Sequence, residues 1–279
     1  MIWRIRDRDF DLARRGWIMG VLNVTPDSFS DGGAFLSPEA ACDHGLQLIG
    51  EGAEILDIGG ESTRPGSDPV STDEELRRVI PVIRALRREC GVHISIDTTK
   101  AAVARAALDE GADIVNDVSG LRSDPEMPGV VARSCAGVVI MHMQGIPRTM
   151  QAAPIYEDVV SAVGDFFRQS IGRAVESGID PMRIALDPGI GFGKTPVHNQ
   201  ALLRSLADFS VFERPVAIGV SRKSFLGWIA RSPDMSERHW PGVALTSICR
   251  EQGARIFRVH DAKPHLEALR MTEAILGDD

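Results

Sequence analysis

Eight short apolar runs, each closed by a polar residue, are the feature that most restricts this chain. Trp17-Ile-Met-Gly-Val-Leu ends in Asn23, Glu54-Ile-Leu in Asp57 and His93-Ile-Ser-Ile in Asp97. Asp113-Ile-Val ends in Asn116, Val138-Val-Ile-Met in His142 and Arg183-Ile-Ala-Leu in Asp187. Val216-Ala-Ile-Gly-Val leads to Ser221 and Ile256-Phe-Arg-Val to His260. Apolar runs of this length, cut off by Pro or Gly, suit strands covered on both faces. Three of them follow a Gly-Ala pair, at 52–53, 111–112 and 253–254, where a glycine stops a helix just before the next strand. The repeating unit is therefore helix, glycine stop, strand, polar tip, loop. Eight such units on 279 residues have the rhythm of an α/β protein of the (β/α)8 TIM-barrel class. A doubly wound open sheet also alternates strand and helix. The even spacing, with no shift in composition towards a second domain, favours a single barrel over residues 17–279. Residues 1–16 lie outside the repeat and read as an N-terminal hairpin or plug.

Charge and composition narrow the partners. With 43% hydrophobic and 25% charged residues the chain can fill a soluble core, and a net charge of −8 argues against nucleic acid or an anionic membrane as a partner. Any anion must then be held by a local group of donors. Cys42, Cys90, Cys135 and Cys249 form no C-x-x-C pair and fall in expected helices, which suits reduced thiols in a cytoplasmic protein. The N-terminus alternates charges too densely for a signal peptide, and no apolar run nears the roughly 20 residues that span a bilayer.

Two loops are too long for tight turns and therefore read as functional. One follows Asn23 (24–33) and the other follows Asp57 (59–69), and both carry glycine pairs, Gly32-Gly33 and Gly59-Gly60, that suggest mobility. Helices are expected over about 38–52, 72–90, 99–110, 126–135, 156–177, 197–208, 224–231, 242–252 and 264–276. Ser71 and Glu74 have the spacing of a capping box.

Gly189-Ile-Gly-Phe-Gly-Lys-Thr195 invites a phosphate-loop reading, but only three residues separate Gly189 from Gly193-Lys194 where that loop needs four. A glycine turn that brings backbone close to a ligand fits better. At the strand tips, Asp57, Asp97, Asn116 and Asp187 form a set of acceptors. One alone would be read as a helix cap, but four around one ring suit a ligand edge rich in N–H groups. The donors Arg222 and Lys223 follow the seventh strand, and Arg258 and His260 lie at the eighth, where this fold commonly binds phosphate in the loops. Arg77, Arg78, Arg84, Arg87 and Arg88 share an amphipathic helix and read as a solvated face, while His44, His198, His239 and His265 read as structural. No His/Cys spacing suits zinc.

The motifs resemble a known family. Gly20-Val-Leu-Asn-Val-Thr-Pro-Asp-Ser-Phe-Ser-Asp-Gly-Gly33 and Asp57-Ile-Gly-Gly-Glu-Ser-Thr-Arg-Pro-Gly66 are similar to the two signatures of the dihydropteroate synthases, which are pterin-binding TIM barrels. Met141-His-Met-Gln144, Asp187-Pro-Gly-Ile-Gly-Phe-Gly-Lys194, Ser221-Arg-Lys-Ser224 and Arg258-Val-His-Asp261 match further family motifs, so the likeness spans residues 17–275. The family usually has a Gly-Ser or Gly-Thr pair after an Arg-x-x before its penultimate helix, and this chain has Arg238-His-Trp-Pro-Gly242 there.

The resemblance implies condensation of 6-hydroxymethyl-7,8-dihydropterin pyrophosphate with p-aminobenzoate, a dissociative route through a cationic pterin, Mg2+ as cofactor, sulfonamides as inhibitors and a homodimer. It assigns pterin contacts to Asp97, Asn116, Met141, Asp187, Lys223 and Arg258. It gives pyrophosphate to Asn23, Arg64, Arg258 and His260, with Asn23 also holding the metal. Phe29, Thr63, Arg64, Pro65 and Ser224 are assigned to p-aminobenzoate, and Asp57, Asp97, Lys223, Arg258 and His260 to catalysis. A corrinoid-linked methyltransferase acting on methyltetrahydrofolate, and a pterin-binding protein without catalysis, stand as alternatives. The Phe29 and Thr63-Arg-Pro65 loops and the Lys223, Arg258 and His260 set speak for the synthase.

Overall fold

The computed structural model describes residues 1–25 and 37–277. Phe29 and the Gly32-Gly33 pair lie outside these residues. Strands β1 (Ile2–Ile5) and β2 (Arg8–Asp11) pair antiparallel. Strands β3 (Trp17–Asn23), β4 (Ile55–Gly59), β5 (His93–Asp97), β6 (Ile114–Asp117), β7 (Gly137–Met141), β8 (Ile184–Asp187), β9 (Val216–Ile218) and β10 (Ala254–Val259) follow. They close in the order β10-β3-β4-β5-β6-β7-β8-β9, with every neighbouring pair parallel. The molecule is a (β/α)8 barrel.

The outer layer comprises α1 (Pro38–Gly50), α2 (Thr72–Glu89), α3 (Ala101–Asp109), α4 (Met127–Ser134), α5 (Val159–Glu176), α6 (Pro196–Arg204), α7 (Ser224–Ala230), α8 (His239–Glu251) and α9 (Ala262–Leu276). Each packs an apolar stripe onto the strands. In α2 the stripe is Val79, Val82, Ile83 and Leu86, all fully buried. The glycine stops at 52, 111 and 253 have φ of 101°, 105° and 98°, a left-handed conformation that ends a helix and turns the chain into the next strand.

The hairpin closes the lower end of the barrel. Trp3, Ile5 and Leu12 cluster with Met19, Ile55, Ile114, Val139, Ala185, Ala217 and Ile256, one residue from each of seven barrel strands. Trp3 Nε1 donates to the Arg183 carbonyl at 2.8 Å, which satisfies the indole inside that apolar layer.

Several local expectations need correction. Helix α5 starts at Val159 rather than 156, capped by Asp158, and α8 starts at His239 rather than 242. Pro241 then sits in the first turn of α8, where a backbone N–H has no partner within the helix, so the ring breaks nothing. Ser71 Oγ accepts from Glu74 N at 3.2 Å, but the Glu74 carboxylate turns to Arg77 and Arg78, so the capping box is half made. Arg87 is not merely solvated. Its guanidinium donates to the Gly111 and Val92 carbonyls and to Asp113 Oδ2 at 2.7 Å, tying α2 to the turns before β5 and β6. Gly59 and Gly60 are buried rather than mobile. A Cβ at Gly60 would lie 2.7 Å from Val79 Cγ1 and 3.0 Å from Glu75 Cγ, so the glycine lets this loop start flat against α2.

Candidate functional site

Strand register places the polar tips at different heights. Asn23 pairs with Gly59, Gly59 with Asp97, and Asp97 with Asn116, forming one rim level. Asp57 is not a tip: β4 runs on to Gly59, and Asp57 pairs with Val21 and Ser95 one inward layer lower. Ser221 is not a tip either, because β9 ends at Ile218.

One cation joins the two levels. Arg258 Nε donates to Asp57 Oδ2 at 2.6 Å and its Nη2 to Asp97 Oδ2 at 2.7 Å, while Asn116 Nδ2 donates to Asp57 Oδ2 at 3.1 Å. Asp57 Oδ1 and Asp97 Oδ1 are buried with no partner. Burial pushes Asp97 up to about 7, opposed by Arg258 and reinforced by Asp57. Burial works against the charge on Arg258 too, yet the two carboxylates hold it protonated above the usual arginine range. A single guanidinium therefore shares two buried carboxylates, and one of the two is poised near neutrality.

Asp97, Asn116, Met141, Asp187, Lys223 and Arg258 all line one narrow slot with about 20 Å³ open. Asp187 Oδ1 accepts from Gly189 N at 2.7 Å, and burial raises its pKa. Lys223 Nζ lies 4.2 Å from the Phe192 ring centroid. Burial lowers Lys223 to about 8, with Arg258 adding and Asp187 and Asp97 opposing. The glycine turn after Asp187 lines the slot at Gly189 and also packs closely against protein. A Cβ at Gly189, where φ is 69°, would stand 1.9 Å from the His142 carbonyl oxygen, so any side chain there is excluded. Behind it Lys194 Nζ meets His142 Nδ1 at 2.9 Å and the Phe192 carbonyl at 3.0 Å, with burial lowering it to about 7. Thr63, Val118, Gly189, Ile190, Phe192 and Gly219 complete the slot wall. Of these, Val118 and Ile190 had no signal in the sequence beyond being apolar residues past strand ends, whereas Phe192 stood in the Asp187–Lys194 motif.

A larger cavity of about 480 Å³ lies beside the slot and shares Thr63, Asp97 and Val118 with it. It is roomier, but the convergent donors and acceptors are in the slot, and that chemistry makes the slot the candidate site.

The remaining candidates sit further out. His260 follows β10, and its Nδ1 lies 3.2 Å from Ser221 Oγ, which also accepts from His260 N at 3.3 Å. With its Oγ accepting from that N–H, Ser221 can donate its hydrogen to Nδ1, which places the ring proton on Nε2. Burial, then Arg258, push His260 down to about 3, so it is neutral and offers one N–H. Asn23 is half-buried at the rim, and Arg64, Pro65 and Ser224 are exposed and line neither cavity. Arg222 pairs with Asp261 at 2.8 Å rather than facing the slot.

A family model described as "Pterin binding enzyme" matches residues 19–260. The dihydropteroate synthase of Synechocystis sp. is 46% identical over 266 residues, covering 95% of this chain and 92% of that protein. The chain belongs to the dihydropteroate synthase family.

Solved members share the whole fold. The Yersinia pestis dihydropteroate synthase in a sulfonamide complex superposes with a TM-score of 0.93 at 42% identity, covering 99% of this chain and 100% of that one. The Xanthomonas albilineans enzyme with 4-aminobenzoic acid gives 0.91 at 42% identity, covering 98% of each. Like the other members of this family, the chain is a transferase. Among the described residues no helix is long and apolar enough to cross a membrane.

Proposed function

We propose that this chain condenses 6-hydroxymethyl-7,8-dihydropterin pyrophosphate with p-aminobenzoate, releasing pyrophosphate and 7,8-dihydropteroate. The observation that carries the reading is the slot. Carboxylates Asp97 and Asp187 with Asn116 face Lys223 and Arg258 across a space walled by Met141, Val118 and Phe192. A pterin presents N–H donors along its aminopyrimidine edge, for Asp187 and Asn116, and a carbonyl and ring nitrogen, for Lys223. Asp97 meets the N–H on the opposite side of the ring.

The bond that breaks joins the pterin methylene to the pyrophosphate oxygen, and its electron pair leaves with pyrophosphate. Arg258, His260 and Arg64 take the leaving group, while Asp57 and Asp97 lie beneath the ring as it becomes positive. Such fixed charges stabilise developing charge without reorganising. The amine of p-aminobenzoate then attacks the methylene and loses a proton. It attacks as a neutral amine, so no strong base is needed. Phe29, Thr63, Arg64, Pro65 and Ser224 are assigned to that second substrate.

Mg2+ fits this donor set in a limited way. A Cβ at Gly59 would lie 3.8 Å from Asn23 Oδ1 and 3.7 Å from Asp97 Oδ2, so glycine keeps a space open between two oxygens at the rim. No group of three His, Cys, Asp or Glu gathers among the described residues. Mg2+ binds through few protein oxygens, substrate phosphates and water, so Asn23 would hold it against pyrophosphate. When bound, the ion would offset charge on the leaving group.

The family reading extends to a homodimer in the cytoplasm. Trp228 on α7, Met235 between the helices, and Trp240 and Ile248 on α8 are 57%, 59%, 70% and 48% exposed, an apolar face that a second copy would cover. The four cysteines are all free, as in a reducing compartment. A coupled pyrophosphate-release assay with both substrates tests the reaction, and release that does not depend on p-aminobenzoate would refute it. Light scattering at micromolar concentration tests the dimer.

A further inference from the structure

A half-buried ammonium lies beside the larger cavity, outside every role assigned so far. Lys100 is the N-cap residue of α3, but its side chain caps nothing. Its Nζ bonds the Glu61 carboxylate and, at 2.5 Å, Glu75 Oε2. Glu61 stands two residues beyond β4, at the start of the 60–71 loop. Glu75 stands in the first turn of α2, just past the end of the same loop, and its side chain is 1% exposed. One cation therefore clips together the two ends of the segment that carries Thr63, Arg64 and Pro65.

The pairing is strong on physical grounds. A carboxylate buried like Glu75 is tolerated only with a partner, and removing one side of a buried pair strands the other charge. Burial works against the charge on Lys100, yet the bonds to Glu61 and Glu75 raise its pKa above the usual lysine range. Further contacts start from the clipped ends. Arg78 Nη1 donates to the Gly60 carbonyl at 2.8 Å, and Ser67 Oγ to the Ser62 carbonyl at 2.6 Å. At the apex Gly66 N donates to the Pro147 carbonyl at 3.1 Å. Thr63, held between these points, lines both the slot and the larger cavity.

We propose that Lys100 is a positioning residue for the second substrate: by tying Glu61 to Glu75 it fixes the 60–71 loop in the form that receives p-aminobenzoate. This rests on the reaction proposed above. Lys100 is absent from the slot wall, so the pterin does not meet it directly. Loosening the clip lowers the fraction of molecules whose loop is competent, and the apparent affinity for the ligand of that loop falls by the same fraction.

The test compares Lys100→Met and Glu61→Gln with the unaltered protein. Glu61→Gln leaves the buried Glu75 paired, so it remains informative if Lys100→Met folds poorly. Hydrogen exchange should quicken at the loop amides of Arg64, Gly66 and Ser67 in both variants. The KM for p-aminobenzoate should rise about tenfold, a competent fraction near one tenth, while affinity for a pterin without pyrophosphate stays within about twofold. Unchanged exchange in Glu61→Gln, or equal losses for pterin and p-aminobenzoate, would overturn the proposal. Exchange reads the clip without any turnover, so failure of the condensation itself would be seen separately, as no pyrophosphate release from the unaltered protein.

Discussion

Replacing Asp57 by asparagine tests whether Arg258 really shares two carboxylates. The change keeps the shape of a fully buried side chain and removes one charge. It forfeits a charge-assisted hydrogen bond of 2.6 Å, worth about 1.5–3 kcal/mol. It also leaves Asp97 as sole owner of the guanidinium, freed from a second carboxylate. Oxygens bound to two nitrogens of one guanidinium lie about 5 Å apart, where like charges at an effective dielectric of 20 repel by about 3 kcal/mol. Relief of that repulsion should bring Asp97 down from about 7 by about two pH units.

The effect on stability depends on pH, and its sign is fixed by linkage. Native Asp97 keeps a proton that the unfolded chain releases above its ordinary value of 3.8. The stabilisation from that proton is present below about pH 4 and lost as pH rises to about 7. In Asp57→Asn the loss is complete near pH 5. Between pH 5 and pH 8 the native protein thus gives up about 2–3 kcal/mol that the variant does not. Groups common to both proteins, Asp187, His142 and His260 among them, cancel in the difference. With an unfolding entropy of about 2.1 cal/mol/K per residue over 279 residues, this amounts to about 4–5 °C. Scanning calorimetry of both proteins at pH 5 and pH 8 is the assay. The variant should lie well below the native protein at pH 5 and recover about 4–5 °C of that gap at pH 8. A gap that is equal at both pH values, or wider at pH 8, would mean that the two carboxylates do not compete for Arg258.

Three further outcomes bear on the slot. Asp187→Ala should abolish measurable pterin binding, since a buried donor left unpaired costs about 1–3 kcal/mol and more where charge is involved; near-native affinity in calorimetric titration would move the pterin elsewhere. His260→Ala should weaken binding of pterin pyrophosphate by up to about tenfold, the value of one neutral hydrogen bond, and leave pterin alone within about twofold; equal losses for both would make His260 structural. Sulfonamides should inhibit in competition with p-aminobenzoate, and inhibition that added p-aminobenzoate fails to relieve would break the assignment of Thr63, Arg64 and Pro65.

The barrel was legible because its signal is a repeat: eight apolar runs with polar ends leave few alternatives. Height within the barrel was not legible. A strand buried on both faces has no polar alternation to show its register, so Asp57 looked like a tip although β4 runs on to Gly59. The same lack hid the early end of β9 at Ile218. Polar residues of the slot could be found because Asp, Asn, Lys and Arg at strand ends are unusual in an apolar setting. Of its apolar walls, Val118 and Ile190 look like any core residue, and Phe192 stood out through its glycine-rich motif alone. Contacts across the sequence were invisible altogether. Arg87 looked like one more charge on a solvated helix until the fold brought Gly111 and Asp113 against it. Glycine was legible as a need for space, but not the reason for it: Gly189 makes room for the His142 carbonyl, and Gly60 for α2.

The near closure of the slot constrains how a pterin can enter. An opening of about 20 Å³ holds roughly one water, far below the several hundred Å³ of a usual small-molecule site. Lys223 over the Phe192 ring and Arg258 between its carboxylates occupy that space with their own partners. The charges to which the proposed reaction gives roles are therefore held by internal partners rather than against solvent. A pterin must draw Lys223 from the ring face and trade its own N–H groups for part of what Arg258 gives Asp97. Binding then becomes an exchange of one set of buried hydrogen bonds for another, which favours specificity over affinity. In that binding mode a ligand of the right shape without those N–H groups would leave Asp97 Oδ1 without a donor and be rejected, whereas a pterin supplies one.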